Sequence, residues 1–130
     1  MHLFTGFDPP KKVCEDELGM QDKTVPDGAI TATSYDSAST EPKYARLFVK
    51  AENGHSGGWC SKDNQPGHFV KVDFKAAVKI NRVALQGRED ADQWVTTFSL
   101  SYSQDDGLYT EYEKGKVNCF VFKMLRDYLT

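Results

Sequence analysis

The sequence predicts an all-β protein built as a sandwich or barrel, and three observations predict it. Trp94, Thr96, Phe98, Leu100 and Tyr102 share one parity, while Val95, Thr97, Ser99, Ser101 and Ser103 share the other. Val70, Val72 and Phe74 repeat this pattern with Lys71 and Asp73 opposite. A period of two sends alternate side chains to opposite faces, as a half-buried strand requires. The connecting stretches are long and polar, with glycine and proline, which suits strands joined by turns.

Taken in order, residues 1–13 read as a loose leader carrying Pro9-Pro10 and Lys11-Lys12. Residues 29–34 are a short strand candidate. Residues 43–52 are ambiguous, because Tyr44, Leu47, Phe48 and Ala51 also fit a helical stripe. After the strand around Val70, Val78 and Ile80 continue in β texture. Val83 and Leu85 fall on the other parity, which predicts a bulge or strong twist between Ile80 and Val83. Residues 94–102 carry the strongest strand signal. Gln104-Asp105-Asp106-Gly107 then marks a turn and residues 108–112 resume β-type side chains, predicting a hairpin. The loops lie at 35–43, 53–67 and 86–93.

The 130 residues suffice for one domain. At 39% hydrophobic and 27% charged, the chain has material for a packed core. Sixteen basic against nineteen acidic residues give a net charge of −3, so no electrostatic footprint for nucleic acid is expected. No apolar run approaches the ~20 residues of a membrane span, and Met1 to Lys12 lacks a signal peptide's apolar region. Cys14, Cys60 and Cys119 are too few for a disulfide scaffold. His55, Cys60 and His68 lack zinc-ligand spacing, so no metal and no cofactor is expected.

A series of short motifs resembles the discoidin domain, also called the coagulation factor V/VIII C-type domain. Cys14-Glu-Asp-Glu-Leu18-Gly19-Met20 is similar to its C-x-x-x-L-G-M opening, and Ile30-Thr-Ala-Thr-Ser34 to its I-T-A-S-S strand. Ala45-Arg46-Leu47 matches A-R-L. Gly58-Trp59, followed by Phe69-Val-Lys-Val-Asp-Phe74, resembles its tryptophan and W-L-Q-V-D-L strand. Gln86-Gly87-Arg88 matches Q-G-R. Trp94-Val-Thr-Thr-Phe98 and Leu100-Ser-Tyr-Ser103 resemble Y-V-T-S-F and L-x-Y-S. The pieces fall in the family's order from Cys14 to about Lys123, which sets the expected domain at 14–123. Residues 124–130 depart from the pattern. The resemblance implies a jelly-roll β-sandwich, here expected to lack its last strands and closing cysteine. Cys14 then lacks its implied partner, and the pairing of Cys14, Cys60 and Cys119 stays open. The missing strands are expected to leave a sheet edge uncovered.

The resemblance further implies an extracellular or cell-surface recognition module, part of a larger chain, that is not an enzyme. Family members bind phospholipid heads, glycans, collagens or receptors through loops at one end of the barrel. These loops map to residues 35–43, 53–56 and 88–93, so the candidate ligand-binding residues are Tyr35, Asp36, Ser39, Tyr44, Asn53, His55, Arg88, Glu89, Asp90 and Asp92. The first loop tip, Asp36 to Thr40, is small and polar and would gain little from entering lipid. Glu89, Asp90 and Asp92 should repel anionic headgroups, although a merely solvated acidic loop is the commoner case and calcium is a further use for such oxygens. A protein ligand is therefore the leading partner and a glycan the alternative, with Tyr35, Tyr44, His55 and Arg88 as possible sugar contacts.

Other residues read as structural. Trp59 and Trp94 are expected to pack in the core or at the barrel end. Arg46 and Asp73 are expected to form a buried or half-buried ion pair, because an isolated buried charge is costly. Gly57, Gly58 and Gly87 are expected to serve backbone geometry. His68 is expected to pack at a strand start. No G-x-S-x-G or H-E-x-x-H motif is present. Gly54-His-Ser-Gly-Gly58 lacks the Lys-Ser/Thr of a phosphate loop, and Cys60 reads as a loop thiol rather than a nucleophile.

Overall fold

A computed structural model describes residues 17–80, 83–112 and 120–122. The expected leader 1–13, the tail 124–130, Cys14, Cys119 and the centre of the expected bulge lie outside these residues. Six strands are described: β1 (Ile30–Ala32), β2 (Val70–Val72), β3 (Val83–Leu85), β4 (Ser101–Tyr102), β5 (Thr110–Glu111) and β6 (Phe120–Phe122). The helical elements among the described residues are short 3-10 turns at Asp27–Ala29, Ala38–Thr40 and Pro42–Tyr44. The fold is all-β, as the period-two patterning predicts.

The strands pair two by two. β1 and β2 are antiparallel, with Ile30 opposite Val72 and Ala32 opposite Val70. The ladder continues one bond past each end, from Thr33 N–H to the Phe69 carbonyl at 3.1 Å and from Asp73 N–H to the Ala29 carbonyl at 2.9 Å. Val25, Ala29 and Ile30 are buried, and Met20, Val70, Val72 and Phe74 pack around them. The Val70/Val72/Phe74 face thus faces the core, as its alternation predicts. β4 and β5 form the expected hairpin. Its turn is held by Asp105, whose Oδ1 accepts the Gly107 N–H at 2.9 Å. Lys71, on the outer face of β2, donates to both oxygens of Asp106 at 3.0 and 2.8 Å, and the Tyr109 hydroxyl donates to the same carboxylate. β3 pairs in parallel with β6.

Arg46 stands beside the core with only 7% of its surface exposed. Its guanidinium donates to the carbonyls of Lys43 at 3.2 Å, Met20 at 2.8 Å and Val25 at 2.9 Å, and to Asp27 Oδ1 at 2.6 Å. A fork of five N–H donors suits this work, because it satisfies several carbonyls at once while its charge meets a carboxylate. The expected Arg46–Asp73 pair is not formed: Asp73 instead accepts from Lys75 Nζ at 2.7 Å. Asp73 follows the outward parity of β2, whereas Arg46 reaches into the inner side.

Three further expectations are corrected. Of residues 94–102, only Ser101–Tyr102 is strand, and its ladder to β5 runs one bond further, from the Tyr112 N–H to the Leu100 carbonyl at 2.7 Å. Trp94 is 56% exposed rather than packed, and Val95, Phe98 and Tyr102 are exposed with it. Alternation marks a face able to be buried, but burial needs an opposing layer. Residues 43–52 form neither helix nor strand beyond the 3-10 turn: Pro42 opens that turn and Phe48 adopts φ 60°, which no regular element accepts.

Candidate functional site: three loops braced by Arg88

The loops that follow β1 and β3 meet at one place. In the first, the Ser37 N–H donates to Thr40 Oγ1 at 3.0 Å and the Thr40 hydroxyl donates to the Ser37 carbonyl at 3.1 Å. This box closes the 3-10 turn and buries Thr40. The Ser39 carbonyl accepts the Ser56 N–H of the second loop at 2.9 Å, and the Cys60 carbonyl accepts the Asp36 N–H at 3.0 Å. The Trp59 indole donates to the Ser34 carbonyl at 2.9 Å, so Trp59 is tied by its polar edge to the base of the first loop.

Arg88 joins the third loop to the second. Its Nε and Nη2 donate to the two oxygens of Asp90 at 2.7 and 2.8 Å. The same Nη2 reaches Ser56 Oγ at 3.0 Å, and Nη1 reaches Gln93 Oε1 at 2.8 Å. Asp90 Oδ1 also accepts the Gly57 N–H at 2.9 Å, and the Gly57 carbonyl accepts the Glu89 N–H at 3.2 Å. The Arg88 guanidinium beside Asp90 holds that carboxyl far below the usual carboxylate range and raises its own ionisation in turn. Glu89 lies below its ordinary value because it accepts the Ala51 N–H and meets Lys50 Nζ at 3.0 Å. Gly57 has no alternative residue here: a Cβ would fall 2.5 Å from Glu89 Cβ and 3.0 Å from its backbone nitrogen.

This geometry revises the reading of the acidic loop. Glu89 and Asp90 are neutralised by Lys50 and Arg88, so they do not present the free negative charge that was to repel anionic lipid. Arg88 directs its donors to Asp90, Ser56 and Gln93 within the protein. Ser39 is likewise turned inward. Tyr44 and His55 come together from the first and second loops, with ring centroids 4.3 Å apart and planes 17° from parallel. Lys43 Nζ lies 5.1 Å from the Tyr44 centroid. The His55 Nδ1–H donates to the Ser56 carbonyl at 3.0 Å. Tyr35, Asp36, Asn53 and Asp92 lie exposed around this core of contacts.

Sequence reasoning missed Ser56, Gly57, Gln93 and Lys50 as members of the brace. The Arg88-x-Asp90 spacing and the Gly57-Gly58 pair are the signals that point to it. His68 forms a separate brace: its Nε2–H meets Asp63 Oδ1 at 2.8 Å and its Nδ1 faces Ser34 Oγ at 3.0 Å. Ser34 Oγ also accepts the Lys62 N–H at 3.3 Å, so this serine is engaged within the loop contacts. Cys60 is a free thiol. Among the described residues no three His, Cys, Asp or Glu side chains gather as a metal site, and no helix is long and apolar enough to cross a membrane.

The three loops, cross-braced into one surface, stand on an all-β scaffold. The family model for the F5/8 type C domain matches residues 29–123, and the chain belongs to that family, whose fold is a β-sandwich. Coagulation factor VIII of Homo sapiens is 34% identical over an alignment covering 82% of this chain and 5% of the relative. Lactadherin of Bos taurus is 29% identical, covering 77% of this chain and 25% of its own length. Hemocytin of Bombyx mori is 31% identical, covering 78% of this chain and 3% of its own. The chain therefore spans a quarter or less of the length of these relatives.

Proposed function

We propose that the chain is an extracellular, non-enzymatic recognition module that binds a protein ligand through residues 35–43, 53–56 and 88–93. One observation carries this reading: the Arg88–Asp90 fork, Ser56 and Ser39 lock the loops together before any ligand arrives. Loops ordered in advance lose less entropy on binding, so their exposed side chains convert contact into affinity more fully. Tyr35, 49% exposed, offers aromatic area beside the Asp36 carboxylate, which suits a partner with an apolar spot next to a basic group. The tip from Asp36 to Thr40 uses its hydroxyls internally and offers no large apolar group for lipid, so membrane insertion is not part of this reading. Nucleic acid is excluded from it by the net charge of −3.

The Tyr44–His55 stack favours a second reading, a carbohydrate-binding module in which the stacked rings form the edge of a sugar platform. The immobilised chain, offered matrix and cell-surface proteins, a glycan array, and vesicles with and without anionic lipid, tests both. Capture of a protein that is lost in Tyr35→Ala and Asp36→Ala is expected. Glycan binding that depends on Tyr44 and His55 would replace the first reading with the second, and vesicle capture alone would overturn both.

A further inference from the structure

We infer that Asn53 is a chemical modification site, converted to isoaspartate and aspartate by attack of the Gly54 backbone nitrogen on its side chain. The site is built from the turn that opens the second loop. Glu52 and His55 pair across it, with the His55 N–H on the Glu52 carbonyl at 3.0 Å. Asn53 and Gly54, between them, adopt φ 52° and 84°. This is the two-residue hairpin turn that Asn-Gly favours, with both central residues left-handed. The Asn53 carboxamide has no hydrogen-bond partner among the described residues, and both residues are exposed. Apart from its two chain neighbours, nothing lies within 4 Å of the position a Gly54 Cβ would take, so no distant part of the chain packs against this glycine there. A tip held by one backbone hydrogen bond opens at little cost, and the reacting atoms are then neighbours in one five-membered ring.

The reaction balances with water as the only co-reactant. The Gly54 nitrogen forms a bond to Asn53 Cγ, the Cγ–Nδ2 bond breaks, and ammonia leaves with the proton from the Gly54 amide. Water then opens the cyclic imide at either carbonyl. Opening on the backbone side routes the chain through the former side chain and adds a methylene to the backbone. The turn loses its register, and a new carboxylate appears two residues before His55. The chain carries its own comparison: Asn64, followed by Gln65, is exposed too, but its neighbour's amide donates to Asp63 Oδ1 at 2.9 Å and bears a side chain.

The test is timed incubation of the folded chain at neutral pH and body temperature, followed by peptide mapping with fragmentation that separates isoaspartate from aspartate. The expected result is conversion at Asn53 at least about tenfold faster than at Asn64, slowed as strongly in Asn53→Gln, whose longer side chain must close a larger ring. Amide exchange at His55 should speed up in the product. Conversion at Asn53 no faster than at Asn64 would overturn the inference. So would equal rates in the folded chain and in Gly54→Ala, which places a methyl group on the nucleophile's residue. These readouts do not depend on what the loops bind.

Discussion

Arg88 and Asp90 lie two residues apart and meet as a fork on a carboxylate, with Nε–Oδ1 at 2.7 Å and Nη2–Oδ2 at 2.8 Å. Because Arg88 also reaches Ser56 and Asp90 also receives the Gly57 N–H, this pair carries the side-chain part of the contact between the second and third loops, beside the Glu89 N–H bond to the Gly57 carbonyl. Arg88→Ala should lower unfolding free energy by about 2 kcal/mol, since it leaves Asp90 and Ser56 without their donor. Arg88→Lys should recover less than half of that, because a point charge cannot make the parallel bonds. Urea denaturation of the three proteins measures both.

The same pair sets an acid response. The Asp90 carboxyl is depressed in the folded chain, chiefly by Arg88. Its stabilisation is fully present above the ordinary carboxylate range, and it drains away as pH falls through and below that range, where the unfolded chain takes up the proton first. Asp90→Asn should therefore be less stable than the parent at neutral pH, with the difference narrowing on acidification. Equal slopes of stability against pH would contradict the assignment.

Arg46 and Asp27 form an unequal pair, their side chains 2% and 60% exposed. Removing the buried partner orphans the Met20 and Val25 carbonyls, so Arg46→Met should cost about 3 kcal/mol. Asp27→Asn should cost much less, since its carboxylate is largely hydrated. Asp73→Asn should leave the denaturation midpoint unchanged, because Asp73 has no contact with Arg46. A loss in Asp73→Asn comparable to that in Arg46→Met would restore the pairing expected from sequence.

Gly57 and Gly28 make a matched comparison. A methyl group on Gly57 meets Glu89 at 2.5 Å, whereas one on Gly28 meets nothing within 4 Å. Gly57→Ala should destabilise by about 2 kcal/mol and weaken any loop-dependent binding, while Gly28→Ala should stay within about 0.5 kcal/mol of the parent. Thermal unfolding of the two variants separates these outcomes.

The stacked rings can be weighed by a double-mutant cycle. Tyr44→Ala and His55→Ala, singly and together, should show a coupling of about 1 kcal/mol. A coupling near zero would show that the first and second loops are held by the Ser56–Ser39 backbone bond and not by the rings.

Much of the β framework was legible. Ile30, Val70, Val72 and Phe74 announced a buried side by their spacing, and the Asp106-Gly107 turn announced its hairpin, because both signals are local. Trp94 and Phe98 carried the strongest alternation yet remain exposed, since a pattern can mark a face without supplying the layer that covers it. At the site, Arg88, Asp90, Tyr44 and His55 were legible as loop residues. Their roles were not, because no spacing says whether a charge faces a ligand or another loop.

The sequence by itself determined the β class, the pairing faces of β1 and β2 and membership of the F5/8 type C family, all written in residues close along the chain. The tertiary structure alone decided that Arg46 meets Asp27 rather than Asp73, that Glu89 and Asp90 are neutralised from within, and that Tyr44 rests on His55. Charge pairing and ring stacking act over a few ångströms of space, and the loops that bring these groups together are separated by tens of residues.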